Sequence, residues 1–189
     1  MINILHTIDT TGPGGAEMVF LNIVKGLDRS AFHSITAIPG KGWVHDELVR
    51  NGLAPVFISS RGSFSLRYLF QIVSIIQRHK IDIIQSHLIG SNMYCSLASM
   101  LCRVPVICSI HGFVDMATHD RLSMLRFFLI NRGSQRIVFV SDHLRNYFVK
   151  TYRIDQRKAV TIYNGIDLET YQMRKNTNLR RELGLGDSN

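Results

Sequence analysis

Three groups of residues have types and spacing suited to chemistry. The first is the run Thr10-Thr11-Gly12-Pro13-Gly14-Gly15-Ala16-Glu17, which follows an apolar segment and opens a helix-like one. Glycines there let a ligand reach the backbone, and the free N–H groups and dipole of the helix favour a phosphate. The run is not a dinucleotide fingerprint. Counted from Gly12, the third glycine of G-x-G-x-x-G falls on Glu17, whose charge opposes a pyrophosphate. The P-loop Lys-Ser/Thr is missing as well, and a tight turn with Glu17 capping the helix explains the run equally well. The second group is His87 and His111, each placed just after an apolar run, where a neutral imidazole can bond a sugar hydroxyl or take a proton. His119 and His143 extend the set toward a metal site, but no H-E-x-x-H spacing or cysteine cluster supports one. The third is Ser141-Asp142, where Ser141 suits a helix N-cap and could also face a cleft.

The elements that must position these groups are legible as alternating apolar runs and helical stripes. Strands are predicted at Ile2–Ile8, His33–Ile38, Pro55–Ile58, Ile83–Ser86, Val106–Ile110, Arg136–Val140 and Ala159–Tyr163. Helices are predicted between them at Ala16–Leu27, Val44–Asn51, Leu66–Arg78, Ser91–Cys102, Arg121–Asn131 and Asp142–Tyr152. Strands this apolar have no wet face, so the expected fold is α/β. It is a doubly wound, Rossmann-like parallel sheet of about seven strands with helices on both sides. Ligands of such sheets bind at the carboxyl ends of the strands, and Gly14, Gly15, Ser86, His87, His111 and Ser141 all fall there.

Composition narrows the class. The chain has 189 residues, 46% apolar and 19% charged, which excludes a disordered or fibrous protein. Three cysteines, Cys95, Cys102 and Cys108, suit a reducing compartment, and neither a signal peptide nor a run of about 18 apolar residues is present, so a cytoplasmic protein is expected. The net charge of +8 is concentrated: residues 121–158 hold nine Lys/Arg against two Asp/Glu. Such a field attracts phosphates on nucleotides, nucleic acid or lipid. The stretch 121–132 mixes arginines with Phe127, Phe128 and leucines, as a helix resting on an anionic bilayer does, although a core helix with a basic edge has the same pattern. The aromatics do not interleave with the arginines as a nucleic-acid stacking platform would, so nucleic acid is not an expected partner.

Taken in order, Gly14-Gly15-Ala16-Glu17, Ser86-His87, His111-Gly112, Val140-Ser141 and Ile162-Tyr163-Asn164-Gly165-Ile166-Asp167 resemble the N-terminal half of the retaining, GT-B-fold glycosyltransferases of family four. The resemblance spans residues 1–167, and Asn178–Leu185 looks like the linker before that family's second domain. It implies a Rossmann-like acceptor-side domain over 1–163, and a hinge and linker over 164–189 leading to a donor-binding domain that the chain lacks. It implies transfer of a sugar from a nucleotide-sugar to a glycan or lipid-linked acceptor, without a metal or other cofactor, in surface polysaccharide assembly at the inner face of the cell membrane. By position, Gly14 and Gly15 would approach the donor diphosphate and His111 would be the catalytic group at the donor sugar. Ser86 and His87 would lie toward the acceptor, and Ser141, Asn164 and Gly165 in the cleft and hinge. Lacking the groups that stabilise the departing diphosphate, the chain alone is expected to be inactive. A sugar-nucleotide epimerase fragment and a non-catalytic lipid- or polysaccharide-binding module are the alternatives.

Overall fold

The computed structural model describes residues 1–59, 65–113, 122–166, 168 and 182–184. Within them the chain alternates strand and helix: β1 Ile2–Ile8, α1 Gly15–Gly26, β2 Phe32–Ile38, α2 Trp43–Arg50, β3 Val56–Phe57, α3 Leu66–Arg78, β4 Ile83–His87, α4 Ile89–Cys102, β5 Val106–Ile110, α5 Ser123–Gly133, β6 Arg136–Phe139, α6 Asp142–Tyr152 and β7 Ala159–Thr161. The seven strands form one sheet in the order β3-β2-β1-β4-β5-β6-β7, and every neighbouring pair is parallel. The order reverses between β1 and β4, which places a topological switch point beside the loop after β1.

Register and burial sort the side chains onto two faces. Leu5, Ile84, Val106, Cys108, Ile137 and Phe139 point to one face and pack under α3, α4, α5 and α6 in the larger core. Ile8 and Ile38 point to the other and pack under α1 and α2 with Phe20, Leu21, Val24 and Leu48. Helices thus lie on both faces, as the apolar strands predict, but they cover the two faces unequally. No helix among the described residues crosses the second face over β5–β7, so Ile107 and Val138 are only half-buried and Val160 is exposed.

Several boundaries move for identifiable reasons. Helix α4 begins at Ile89 rather than at Ser91 because the carboxylate of Asp9 accepts the Ser91 backbone N–H at 3.0 Å. Strand β7 stops at Thr161, two residues early, and β3 has only two residues. The helix predicted from Arg121 is described from Ser123, Arg121 itself lying outside the described residues.

Candidate functional site

Helix α1 starts without a side-chain cap. Its N-cap, Gly14, has extended backbone, and among the described residues no side-chain cap bonds the helix start. Gly14 and Gly15 are glycines for different reasons. A Cβ on Gly14 would collide with the Glu17 carboxylate, whereas a Cβ on Gly15 would meet nothing within 4 Å. Glu17 is buried and folded back under the loop, where it accepts a hydrogen bond from the Thr10 hydroxyl at 2.5 Å. The loop is closed from beside by α2, whose Val44 N–H donates to the Thr11 carbonyl at 3.1 Å. A Cβ on Gly42, the N-cap of α2, would strike Thr11.

His87 and His111 meet directly. His87 is the last residue of β4 and is fully buried on the second face, with Phe20 of α1 edge-on to its ring at 5.5 Å. Its Nδ1 lies 2.9 Å from Nε2 of His111, and the two rings stack with centroids 5.1 Å apart. Burial holds His111 down to about 4 against an opposing pull from the Glu17 carboxylate. Burial lowers His87 well below the ordinary imidazole range, with His111 and then His6 adding to it. Both rings are thus neutral at pH 7. The glycine loop, His87 and His111 stand at the carboxyl ends of the neighbouring parallel strands β1, β4 and β5, and Phe20 of α1 touches His87, so Gly14, Gly15, His87 and His111 lie on the same rim.

The remaining candidates are placed differently. Ser86 points to the first face, fully buried, and donates to Asn92 Oδ1 of α4 at 2.5 Å. Its neighbour Thr7 bonds Ser91 and Cys95 there. Ser141 caps α6, its hydroxyl accepting the Leu144 N–H at 3.2 Å. Asn164 and Gly165 are exposed beside the Val19–Gly26 part of α1, away from its N-terminus. With Ile162, Tyr163 and Ile166 they border a groove of about 630 Å³. His143 packs edge-on to Phe113, and His119 lies outside the described residues. Among the described residues no three His, Cys, Asp or Glu side chains converge as a metal site requires.

Two groups escaped the sequence reading, and a third, Asp142, stands in it beside Ser141 without the contacts it makes. Asp9 caps α4 from β1, a contact between residues 82 positions apart that no local pattern announces. Asp142 binds the end of β7 and the residues just after it, accepting from Thr161 at 2.6 Å and from the Tyr163 phenol at 2.8 Å. His6 on β1 is buried beside His87 and is pushed down to about 4 by burial. Its place in an apolar strand was the available signal.

The positive charge also falls in an unexpected place. Arg132, Arg136, Arg153, Arg157 and Lys158 stand at the end of α5, the start of β6, the end of α6 and the approach to β7. That is the sheet edge opposite the rim bearing His111.

Comparison with known proteins supplies the lineage. The family model for Glycosyltransferase Family 4 matches residues 13–170. The chain belongs to that family. Among curated relatives, this family-four chain is 24% identical over 190 residues to the capsular polysaccharide biosynthesis glycosyltransferase CapH of Staphylococcus aureus, covering 96% of the chain and 51% of CapH. Among solved structures it is similar to Anabaena HepE in complex with UDP and glucose, with TM-score 0.80, 19% identity and coverage of 97% of this chain and 50% of that one. A glycosyltransferase from Rickettsia africae gives TM-score 0.77 at 17% identity, covering 99% and 50%. The family-four chain thus spans about half the length of each. The likeness to these structures carries the GT-B type of Rossmann-like fold expected from the sequence.

Proposed function

We propose that this chain is the acceptor-side half of a retaining glycosyltransferase. In this reading a sugar passes from a nucleotide-sugar to a glycan or lipid-linked acceptor in surface polysaccharide assembly. The observation that carries the reading is the meeting of an uncapped glycine-bordered helix N-terminus and a neutral imidazole pair on one rim of a family-four domain. The N–H groups of α1 suit a diphosphate, and Gly15 leaves room for it to approach the backbone. His111 would meet the donor sugar, His87 would stand behind it, and no metal is needed where backbone dipoles take the charge. The names of HepE and CapH, with UDP and glucose in one and capsular polysaccharide in the other, favour this substrate class.

Residues after 163 would lead into a donor-binding domain. The exposed apolar side chains Ile162, Tyr163 and Ile166 beside α1 suit a surface that a second domain covers. Alone, the chain should bind substrates weakly and turn over nothing. Titrating it with UDP-glucose while recording backbone amide spectra tests the reading. Shifts centred on Gly14, Gly15 and His111 are the expected result, and shifts confined to the opposite edge overturn it. Measurable transfer by the 189-residue chain would overturn its inactivity.

The same reading places the protein in the cytoplasm and against the inner face of the membrane. Leu122, Met124, Leu125 and Phe128 project from α5 and its N-cap into solvent, and Arg132, Arg157 and Lys158 line a recess at the helix end. Apolar side chains beside cations suit an anionic bilayer surface. No helix among the described residues is long and apolar enough to cross a membrane. Sedimentation should enrich the chain on anionic vesicles over neutral ones, with Phe128→Glu reducing the difference. Equal or absent binding to both vesicle types removes the membrane contact.

A further inference from the structure

Leu88, the single residue between β4 and α4, has φ 70° and ψ 155°. That combination is open to glycine and sparsely populated by any residue with a side chain. Arg103 and Arg153 also have positive φ, but in the ordinary left-handed conformation that ends helices. The order of faces along the chain shows what the strain achieves. In β4, Ile84 and Ser86 point to the first face and His87 to the second. Continued alternation would send Leu88 back to the first face. Instead its side chain is buried with Ile8 and Phe20 in the second-face core, on the same side as His87. Ile89 already belongs to the core of the first face, so the chain crosses between faces within one residue.

Four hydrogen bonds bracket this crossing. The Ser109 carbonyl of β5 accepts the Leu88 N–H at 3.3 Å and Asn92 Nδ2 at 2.9 Å. The Leu88 carbonyl accepts the Asn92 N–H at 2.9 Å, and the Asp9 carboxylate accepts the Ser91 N–H at 3.0 Å. We infer that Leu88 is a positioning residue, whose strained turn, braced by Asp9, keeps His87 under Phe20 and in contact with His111 before any substrate arrives. Strain persists only where the surroundings over-determine it, and it collects at functional sites. A relaxed turn would release His87 from both neighbours. The inference rests on the transferase reading only for what the preset rim receives.

The test compares Leu88→Gly with Leu88→Ala in the 189-residue chain. Both lose the apolar anchor, but only alanine still resists the turn. Leu88→Gly should therefore have the higher denaturation midpoint, reversing the order that glycine's chain entropy gives at an unstrained position. Cross-peaks between the ring protons of His87 and His111 should survive in Leu88→Gly and be lost in Leu88→Ala. Should both variants unfold, Asp9 probes the turn from its other side, at a half-buried position. There Asp9→Asn can still accept the Ser91 N–H and should keep the cross-peaks, which Asp9→Ala should weaken. A folded Leu88→Ala that is more stable than Leu88→Gly, or that retains the parent's cross-peaks, overturns the inference. Where the Leu88 variants unfold, unchanged cross-peaks in Asp9→Ala overturn it. The expected pattern in a chain that shows no response to UDP-glucose would uphold the role of Leu88 and count against the transferase reading alone.

Discussion

The two glycines opening α1 separate what folding requires from what a ligand requires. Gly14 is enclosed by the Glu17 carboxylate that Thr10 holds, so Gly14→Ala must displace a buried charge and should destabilise the chain by about 1–3 kcal/mol. Gly15 opens on empty space at the first helical position. There Gly15→Ala should leave stability unchanged or raise it by up to about 1 kcal/mol, because alanine suits the helix better. If a diphosphate approaches that backbone, the same substitution should weaken nucleotide-sugar binding severalfold. Denaturant melts of both variants beside one binding titration check the split, and loss of stability in Gly15→Ala would show that the glycine serves the fold. The sequence showed both glycines, but it could not tell them apart. The distinction depends on where the Glu17 carboxylate turns, and a Glu three residues after an N-cap is read as a cap by default.

At the scale of elements, the apolar runs located all seven strands because the central ones are buried in a parallel sheet. The short edge strands β3 and β7 keep apolar residues although they are partly exposed. What escaped were ends set by distant partners. Helix α4 starts two residues early through Asp9 of the β1 loop, and β7 gives way early to exposed Ile162 and Tyr163. The rim pair His87 and His111 was legible as two positions on one edge, but their contact depends on β4 and β5 being neighbours and on the twist between them. Asp142 is the other element-scale device, tying the first turn of α6 to Thr161 and Tyr163. Removing it in Asp142→Ala should release the segment after β7 with little effect on global stability. Amide hydrogen exchange should then accelerate across 162–166 while β1 and β4 keep their protection. Unchanged exchange there would mean that the groove beside α1 holds the segment without Asp142.

For the whole molecule, the buried imidazoles set the response to acid. His6 and His111 are held at about 4 and His87 is lowered further by burial, while in the unfolded chain each titrates near 6.5. Between those values the unfolded chain binds more protons than the folded one. Stability is therefore complete above about pH 6.5 and declines as the pH falls toward 4, His6 alone accounting for about 3 kcal/mol. Asp155, held at about 2 by its bonds to Arg157, acts only at lower pH. Denaturation midpoints at pH 7.5 and 5 should differ clearly in the parent and less in His6→Asn. Equal midpoints in the parent would mean that the rings are hydrated in solution.

The borders of the sheet carry a consequence of their own. Strand β3 offers two residues of ladder and β7 three, so neither border exposes enough unpaired backbone to template another chain. A sheet this apolar is an aggregation hazard wherever its margin is long and straight. Here the well-buried strands β1, β4 and β5 lie inside, and the stubs at either margin disfavour zipping of copies of the protein together.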